Sequence, residues 1–302
     1  MFQPPKDLYP FESHWLDIAG IQMHYLDEGP RDAPTVLMLH GNPTWSFYYR
    51  NLILALRDRY RCVVPDHIGC GLSDKPSEAR YPYTLARRIS DLAALMDHIQ
   101  SKTPVNMIMH DWGGMIGFGW AVERPDQVAS MVIANTAAFP SPVEKKFPAA
   151  LWLVRNTKLG ALLVQGLNAF SGIAARVAFK KPVSAEVRRA YTGPYDSWDN
   201  RIATLRFVQD IPLRAGDPGY DIVVTTESRL QNFSGKPCLL AWGEKDFVFD
   251  LHFLNKWKEI YPHAIVLSYP DCGHYVFEDA GQSLTQAVSD FLDRNGHAPE
   301  QG

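Results

Sequence analysis

The sequence has little of what several common classes of protein require. Its four cysteines are scattered without a CxxC pair, and no histidines lie at metal-ligand spacing. The segment 69–73, GCGLS, follows an apolar run but matches neither GxGxxG nor a GK[ST] ending, so it predicts a tight connection and no phosphate cradle. We therefore expect reduced core thiols and neither a metal site nor a bound cofactor. The cysteines are Cys62, Cys70, Cys238 and Cys272.

An excess of basic charge is also missing. The formal net charge is -3, and no dense Lys/Arg run occurs, which argues against nucleic acid as a partner. The amino-terminal MFQPPKDLYPFESHW lacks a basic start followed by an apolar stretch, and no run reaches the roughly 18 apolar residues of a membrane span. These absences predict a cytoplasmic protein without a membrane span.

Apolar runs bounded by turn residues alternate with helical patterns through the first 136 residues. This alternation predicts an α/β fold with a mostly parallel central sheet flanked by helices. The predicted strands are Ile21–Asp27, Thr35–His40, Arg61–Pro65, Val105–Met109, Met131–Asn135, Pro237–Trp242 and Ala264–Tyr269. The predicted helices are Phe47–Asp58, Thr84–Gln100, a segment opening at Trp112, and an amphipathic Gln282–Arg294.

Between the two groups of strands the pattern is helical and broken by Pro and Gly. We predict a main domain of residues 1–136 and 231–302 and an inserted helical cap of residues 137–230. Eight large apolar residues recur on the helical faces of this cap. Some of them are expected to roof an apolar pocket, and most to pack the cap onto the main domain. They are Leu151, Trp152, Leu153, Leu159, Leu162, Leu163, Leu167 and Phe170.

The segment HDWGG joins the predicted strand ending at Met109 to a helix opening at Trp112. A strand, a Gly-containing turn and a helix in this order are typical of a nucleophile elbow, which exposes one side chain above the strand ends. Here that side chain is the carboxylate of Asp111, a nucleophile that needs no deprotonation. An Asp that merely caps a helix is the alternative.

Two later segments favour the catalytic interpretation. Asp246 follows the apolar run PCLLAWG, and His274 follows another apolar run, so the chain order is nucleophile, acid, base. Asp246 would orient the imidazole, and His274 would take a proton from water. Asp250 and Asp271 are rival acids, interpreted as a helix N-cap and a turn residue.

Two neutral donors complete the predicted site. Asn42, in the loop HGNPTW after an apolar strand, offers a side-chain amide, and Trp112 offers an indole N–H. Uncharged donors of this kind suit a departing anion or a developing oxyanion. A plain turn at Asn42 and a core aromatic at Trp112 are the alternatives.

HGNPTW, PDHIGCGLSDKP and HDWGG strongly resemble segments of the haloalkane dehalogenases, which have the α/β-hydrolase fold, and the similarity covers nearly the whole chain. The resemblance implies a nucleophile at Asp111, a base at His274, and a halide-binding pair at Asn42 and Trp112. In one branch the acid follows the strand after the elbow helix, where this chain has Asn135; in other branches it lies where Asp246 stands.

The chain departs from the usual elbow at one residue, and a second family with the same nucleophile has to be considered. Met109 occupies a place in the elbow usually given to a small residue, which puts the geometry of the elbow in question. Epoxide hydrolases share the nucleophile but usually show HGWP and need two cap tyrosines. HGNP argues against them, although Tyr191 and Tyr195 lie in the cap.

The cap segments NTAAFP, GLNAFS and RRAYTGPYDSWDNRIATLRFVQDIPL, with AWGEKDFVFDLHFL after the cap, are similar to the β-lactone decarboxylases of bacterial long-chain olefin biosynthesis. That resemblance implies a small hydrophobic substrate, a β-lactone with two alkyl chains, converted to an alkene and carbon dioxide. It leaves a complex with enzymes of the same pathway open. Arg201, Arg206 and Asp210 are interpreted as a structural ion pair, with contact to a substrate carboxylate as the alternative.

Three functions therefore stand open. The first is β-lactone decarboxylation through an aspartyl intermediate, and the second is hydrolysis of a haloalkane to alcohol and halide. The core motifs do not separate these two, because both need the same nucleophile, base and donors. The third is an inactive relative that binds ligands or scaffolds a partner, against which an intact triad argues.

Overall fold

The computed structural model describes residues 2–295. Its strands are β1 (His14–Asp17), β2 (Gln22–Glu28), β3 (Thr35–Leu39), β4 (Arg61–Pro65), β5 (Val105–Asp111), β6 (Val128–Thr136), β7 (Cys238–Gly243) and β8 (Ile265–Tyr269). They form one sheet in the order β1-β2-β4-β3-β5-β6-β7-β8. The first two strand pairs are antiparallel and the others parallel. The predicted α/β class with a mostly parallel sheet is confirmed.

Helices cover both faces of the sheet and fill the stretch between β6 and β7. The first three are α1 (Arg50–Leu56), α2 (Leu85–Ile99) and α3 (Trp112–Ala121). Six follow between β6 and β7: α4 (Ala149–Asn156), α5 (Lys158–Leu167), α6 (Ala169–Val177), α7 (Ala185–Thr192), α8 (Ile202–Gln209) and α9 (Tyr220–Arg229). The last three are α10 (Leu251–Ile260), α11 (Val276–Asp279) and α12 (Gln282–Asn295).

Alternation along β5 shows how the sheet separates two cores. Met107 and Met109 belong to the apolar layer that also contains residues of α2, α3 and α10. Ile108 belongs to the opposite layer, with residues of α1 and α12. Because β5 is buried on both faces, its central residues Met107, Ile108 and Met109 are all apolar, without alternation of polar and apolar side chains.

Some predicted boundaries are wrong. The helix predicted over Phe47–Asp58 is a short 3-10 turn, Ser46–Tyr49, followed by α1, because Tyr49 leaves helical geometry at φ -96° and ψ 5°. Strand β1 was not predicted, since its four residues alternate between partly and fully exposed positions at the sheet edge. The predicted core thiols are confirmed, because all four cysteines are buried and free. None of the described helices is long and apolar enough to cross a bilayer.

The parallel strands place the predicted site residues at one edge of the sheet. β5 ends at Asp111, and β7 and β8 end shortly before Asp246 and His274. Carboxyl ends of parallel strands share one edge, where ligands bind in open α/β sheets.

Candidate active site

The elbow predicted at HDWGG is present. Asp111 has φ 52° and ψ -125°, a conformation that L residues rarely adopt, and α3 begins at the next residue. A Cβ at Gly113 would lie 2.1 Å from the Leu39 carbonyl oxygen, so only glycine lets α3 approach β3 this closely. Met109 is accommodated because Gly117 carries no side chain; a Cβ there would lie 2.9 Å from the Met109 Sδ. The large residue at 109 therefore does not prevent the sharp turn.

The carboxylate of Asp111 is buried and faces a cavity. Its Oδ1 accepts a hydrogen bond from the Asn42 backbone N–H at 2.6 Å. A Cβ at Gly41 would lie 1.9 Å from the same oxygen, which explains the glycine of HGNP. Burial raises the pKa of Asp111, and the charge of His274 with the N–H groups of Asn42 and Trp112 offsets part of that rise.

His274 lies between the two acidic side chains of the predicted triad. Its Nδ1 is 2.8 Å from Asp246 Oδ2, and its Nε2 is 3.7 Å from Asp111 Oδ2. Burial alone would lower the pKa of His274, but the carboxylates of Asp246 and Asp111 raise it above its ordinary value. The imidazole is therefore fixed in orientation, with one nitrogen directed at Asp111.

Asp246 is held in place by Asn135, whose role was not predicted from the sequence. Asn135 Nδ2 donates to Asp246 Oδ2 at 3.0 Å, and the Asn135 amide also bonds to both backbone groups of Gly243. The Val248 N–H donates to Asp246 Oδ1 at 2.7 Å. The signal for Asn135 was its position at the end of the strand that follows the elbow helix, where the related branch carries its acid.

The rival acids take the places predicted for them. Asp250 caps α10 through the His252 N–H and pairs with Lys145 at 2.8 Å. Asp271 lies in an exposed turn and pairs with Lys245 at 3.0 Å. Neither is hydrogen-bonded to His274, whose Nδ1 is taken by Asp246.

Asn42 and Trp112 lie on the wall of the same cavity as Asp111 and His274. Asn42 Nδ2 donates a hydrogen bond to the Thr204 carbonyl oxygen at 3.0 Å, and this bond fixes the orientation of the amide. The amide nitrogen carries a second hydrogen that it can donate to a ligand. Trp112 packs against Phe207, with ring centroids 5.2 Å apart. The structure thus brings the four residues together at one wall, and Asp246 lies behind His274.

The cavity has a volume of about 310 Å³ and a largely apolar lining. Half of the eight predicted cap residues reach it: Leu151, Leu153, Leu163 and Phe170. The expectation that most of the eight pack the predicted cap onto the main domain is wrong, because the other four are largely exposed. Trp152, Leu159, Leu162 and Leu167 are 54%, 57%, 55% and 75% exposed. Helical periodicity predicts an apolar face but not whether another element covers it.

The two tyrosines of the predicted cap do not face the cavity. The Tyr191 hydroxyl bonds to Glu278 at 2.5 Å, and the Tyr195 hydroxyl lies 3.5 Å from the Thr44 carbonyl oxygen. Neither residue contributes to the cavity lining. The tyrosine pair that epoxide opening requires is therefore not directed at Asp111.

The charged residues near the end of the predicted cap make structural contacts, but not with one another. Arg201 donates to the backbone carbonyls of Tyr195, Gln165 and Gly166. Arg206 pairs with Glu78. Asp210 accepts from the Leu85 N–H at the start of α2 and lies 3.8 Å from Arg88. The expected ion pair within the group is therefore wrong, and none of the three lines the cavity.

Across residues 2–295, no group of three or more His, Cys, Asp or Glu side chains is arranged to hold a metal ion.

Asp111→Asn is expected to raise the midpoint of thermal unfolding near neutral pH. The pKa of Asp111 is raised in the folded state. Ionisation of this carboxyl therefore lowers the free energy of unfolding once the pH exceeds the ordinary Asp pKa of 3.8, which applies to the unfolded chain. Below that pH the carboxyl is protonated in both the folded and the unfolded chain, and the difference in unfolding temperature between Asp111→Asn and the wild type should vanish. Calorimetry at about pH 3.5 and about pH 7 checks both parts. Asp58→Asn, at an exposed carboxylate, is the control, and a gain independent of pH would contradict the reasoning.

Comparisons with known proteins identify the family of the chain. The family model described as "alpha/beta hydrolase fold" matches residues 34–281. A cis-3-alkyl-4-alkyloxetan-2-one decarboxylase of Shewanella oneidensis is 51% identical over 286 residues, covering 94% of this chain and 89% of the relative. A protein of the same name from Xanthomonas campestris pv. campestris is 47% identical, covering 95% and 98%.

A solved structure gives the same fold. The crystal structure of haloalkane dehalogenase DbeA from Bradyrhizobium elkani superposes with a TM-score of 0.84 at 26% identity, covering 94% of this chain and 98% of that one. The chain belongs to the α/β-hydrolase fold family, among relatives that include the cis-3-alkyl-4-alkyloxetan-2-one decarboxylases and the haloalkane dehalogenases.

Proposed function

We propose that this protein decarboxylates a cis-β-lactone bearing two alkyl chains, giving an alkene and carbon dioxide, with Asp111 as the covalent nucleophile. The observation that carries the proposal is a buried carboxylate at the elbow, 3.7 Å from an imidazole and open to an apolar cavity. The substrate class comes from the relatives at 51% and 47% identity. We further propose that residues 137–230 form the cap that roofs this cavity.

A carboxylate nucleophile suits the ring carbon that bears the lactone oxygen. Attack there breaks the carbon–oxygen bond of the strained ring and leaves an alkyl ester of Asp111 beside a free carboxylate. Loss of carbon dioxide then uses the electron pair of the carbon–carboxylate bond to form the alkene and expels Asp111. This sequence consumes no water and no oxidant. Attack at the ring carbonyl would instead give an anhydride.

The apolar cavity favours this outcome in two ways. Decarboxylation spreads the negative charge of the carboxylate over the departing groups. The activation free energy of this step is lower in an apolar cavity, because a poorly solvated carboxylate has less solvation free energy to lose. A lining that includes Leu151, Leu163 and Phe170 also excludes the water that would hydrolyse the ester and gives alkyl chains a surface to bury against. The same lining therefore supports both recognition and the choice of product.

The remaining residues have separate roles in this scheme. Asn42 and Trp112 donate hydrogen bonds to the oxygen that gains charge as the ring opens. His274, oriented by Asp246, stabilises the charge that returns to Asp111 when the ester is expelled. Its raised pKa supports this role, because a cationic imidazole stabilises a departing carboxylate best.

The test is to give the purified protein a cis-β-lactone with long alkyl chains and a bromoalkane in parallel. Alkene is measured by gas chromatography and bromide by ion analysis. Alkene without bromide is expected, and the geometry of the double bond should be cis, since inversion at the ring carbon followed by anti elimination retains the cis arrangement. Bromide alone would favour dehalogenation instead, and neither product would favour an inactive relative.

Haloalkane hydrolysis is the second candidate. It is favoured by the likeness of the whole fold to a haloalkane dehalogenase and by a donor pair that suits a halide as well as an oxygen anion. In that reaction neutral His274 would accept a proton from the water that resolves the ester.

Asn42→Ala is expected to slow the first chemical step by a factor of roughly ten to a thousand, as loss of one preorganised donor does. The backbone N–H that holds Asp111 remains, so only the side-chain amide is tested. Stopped-flow or quench measurements of single turnovers check this. Asn255→Ala, at an exposed position of α10, is the matched control, and an unchanged rate in Asn42→Ala would remove that amide from the site.

A further inference from the structure

The outer surface of α4, α5 and α6 is unusually apolar. Leu159 and Leu162 share one face of α5, and Ile173 and Val177 share one face of α6. Helices α4 and α5 pack against each other, as do α5 and α6. Clustered apolar side chains on a surface mark an interaction site more often than scattered ones do. The set, called here the outer cap face, is Trp152, Leu159, Leu162, Leu167, Ile173 and Val177, each between 42% and 75% exposed.

The same stretch carries charge of one sign. Residues 145–181 contain seven Lys or Arg and no Asp or Glu, so the stretch carries +7 while the rest of the chain carries -10, given a total of -3. Lys145 and Arg155 are paired with Asp250 and Asp217. Within the described part of the chain, the other five are exposed and make no ion pair: Lys146, Lys158, Arg176, Lys180 and Lys181.

The cavity lining reaches this surface. Ile173 and Val177 belong both to the cavity lining and to the outer cap face, at 53% and 42% exposure. Lys180 and Lys181 lie three and four residues after the end of α6 at Val177. Exposed apolar side chains therefore lie where the cavity lining meets the surface, and unpaired cations follow them closely in the sequence.

We infer that the outer cap face docks on an anionic lipid bilayer and presents the mouth of the cavity to it. An apolar face bordered by Lys and Arg is the pattern by which helices lie in a membrane interface. Anionic headgroups attract such cations, whereas protein–protein interfaces are depleted of lysine. The charge pattern thus favours lipid over a protein partner. This inference goes beyond the proposed function and requires none of its chemistry.

Co-sedimentation with vesicles tests the inference on the full chain. The protein should bind vesicles containing phosphatidylglycerol, bind pure phosphatidylcholine far less, and release as salt is raised. Each cation near an anionic surface contributes roughly a fivefold factor in binding. The triple variant Lys158→Gln, Lys180→Gln, Lys181→Gln should therefore bind about a hundredfold more weakly. Lys6→Gln, Arg80→Gln, Lys258→Gln removes the same charge from other exposed positions and should bind like the wild type.

A second pair of variants tests the apolar part. Leu159→Ser with Leu167→Ser should weaken binding about tenfold, and Leu54→Ser with Val224→Ser, at residues 40% exposed elsewhere, should not. None of these four lines the cavity, so unfolding temperature and turnover of a soluble short-chain substrate should stay unchanged and report separately on fold and chemistry. Three results would overturn the inference. The protein could bind both vesicle types equally, or the control variants could lose as much vesicle binding as the test variants. The protein could also fail to bind vesicles and instead self-associate through the outer cap face.

Discussion

Asp111→Ala is expected to reduce turnover by roughly ten-thousandfold or more, the largest effect of any single change in this chain. In the proposed mechanism the loss follows because no other nucleophile stands at the elbow, and the covalent step cannot begin without the carboxylate. Product formation is measured by alkene release over long incubations, with the limit of detection set by a heat-denatured sample.

Two further variants make this result specific. Asp111→Asn keeps the shape and tolerates the positive φ better than alanine does, so it separates loss of the nucleophile from strain at the elbow. Asp271→Ala removes an exposed carboxylate from a turn near His274 and should keep nearly full activity. Near-normal turnover in both Asp111 variants would refute the nucleophile assignment.

His274→Ala is expected to lower turnover by about a hundred- to ten-thousandfold and to leave the aspartyl ester on the protein. In the proposed mechanism the first step uses the Asp111 carboxylate and the donors Asn42 and Trp112 but not the imidazole. Breakdown of the ester needs the imidazole, whether to stabilise the departing carboxylate or to activate water. Intact-mass analysis after exposure to substrate checks this. A lactone should add its whole mass, and a bromoalkane should add its alkyl group alone.

The matched control is His263→Ala, which removes an exposed histidine that bonds to the Lys236 carbonyl oxygen. It should show full turnover and no adduct. An unmodified mass in His274→Ala, with substrate still bound, would mean that the ester does not form or does not depend on His274.

The parts of the fold that the sequence predicts best are those buried on both sides. Strand β4 was predicted with its observed bounds, Arg61–Pro65, because the strand is buried along its whole length and its residues 62–65 form an uninterrupted apolar run. The elbow was predictable as well, since Gly113 reflects a close approach of helix to strand that no other residue permits. Edge strand β1 was missed because four half-exposed residues carry no such run.

What the sequence leaves open depends on tertiary contacts. The bond from Asn135 to Asp246 joins residues 111 positions apart, and no local pattern signals it. The helices of the predicted cap have apolar residues on more than one face, so periodicity does not tell Leu163 in the cavity wall from Leu162 on the surface. Both distinctions depend on where neighbouring elements pack, which only the assembled chain determines.

The most direct test of a covalent role for Asp111 is to locate the adduct. His274→Ala protein is exposed to the lactone, digested with a protease, and its peptides are fragmented in a mass spectrometer. If Asp111 is the nucleophile, the added lactone mass lies on Asp111, within the segment Val105–Ala121. Mass found on any other residue, or on none while substrate is consumed, would contradict it.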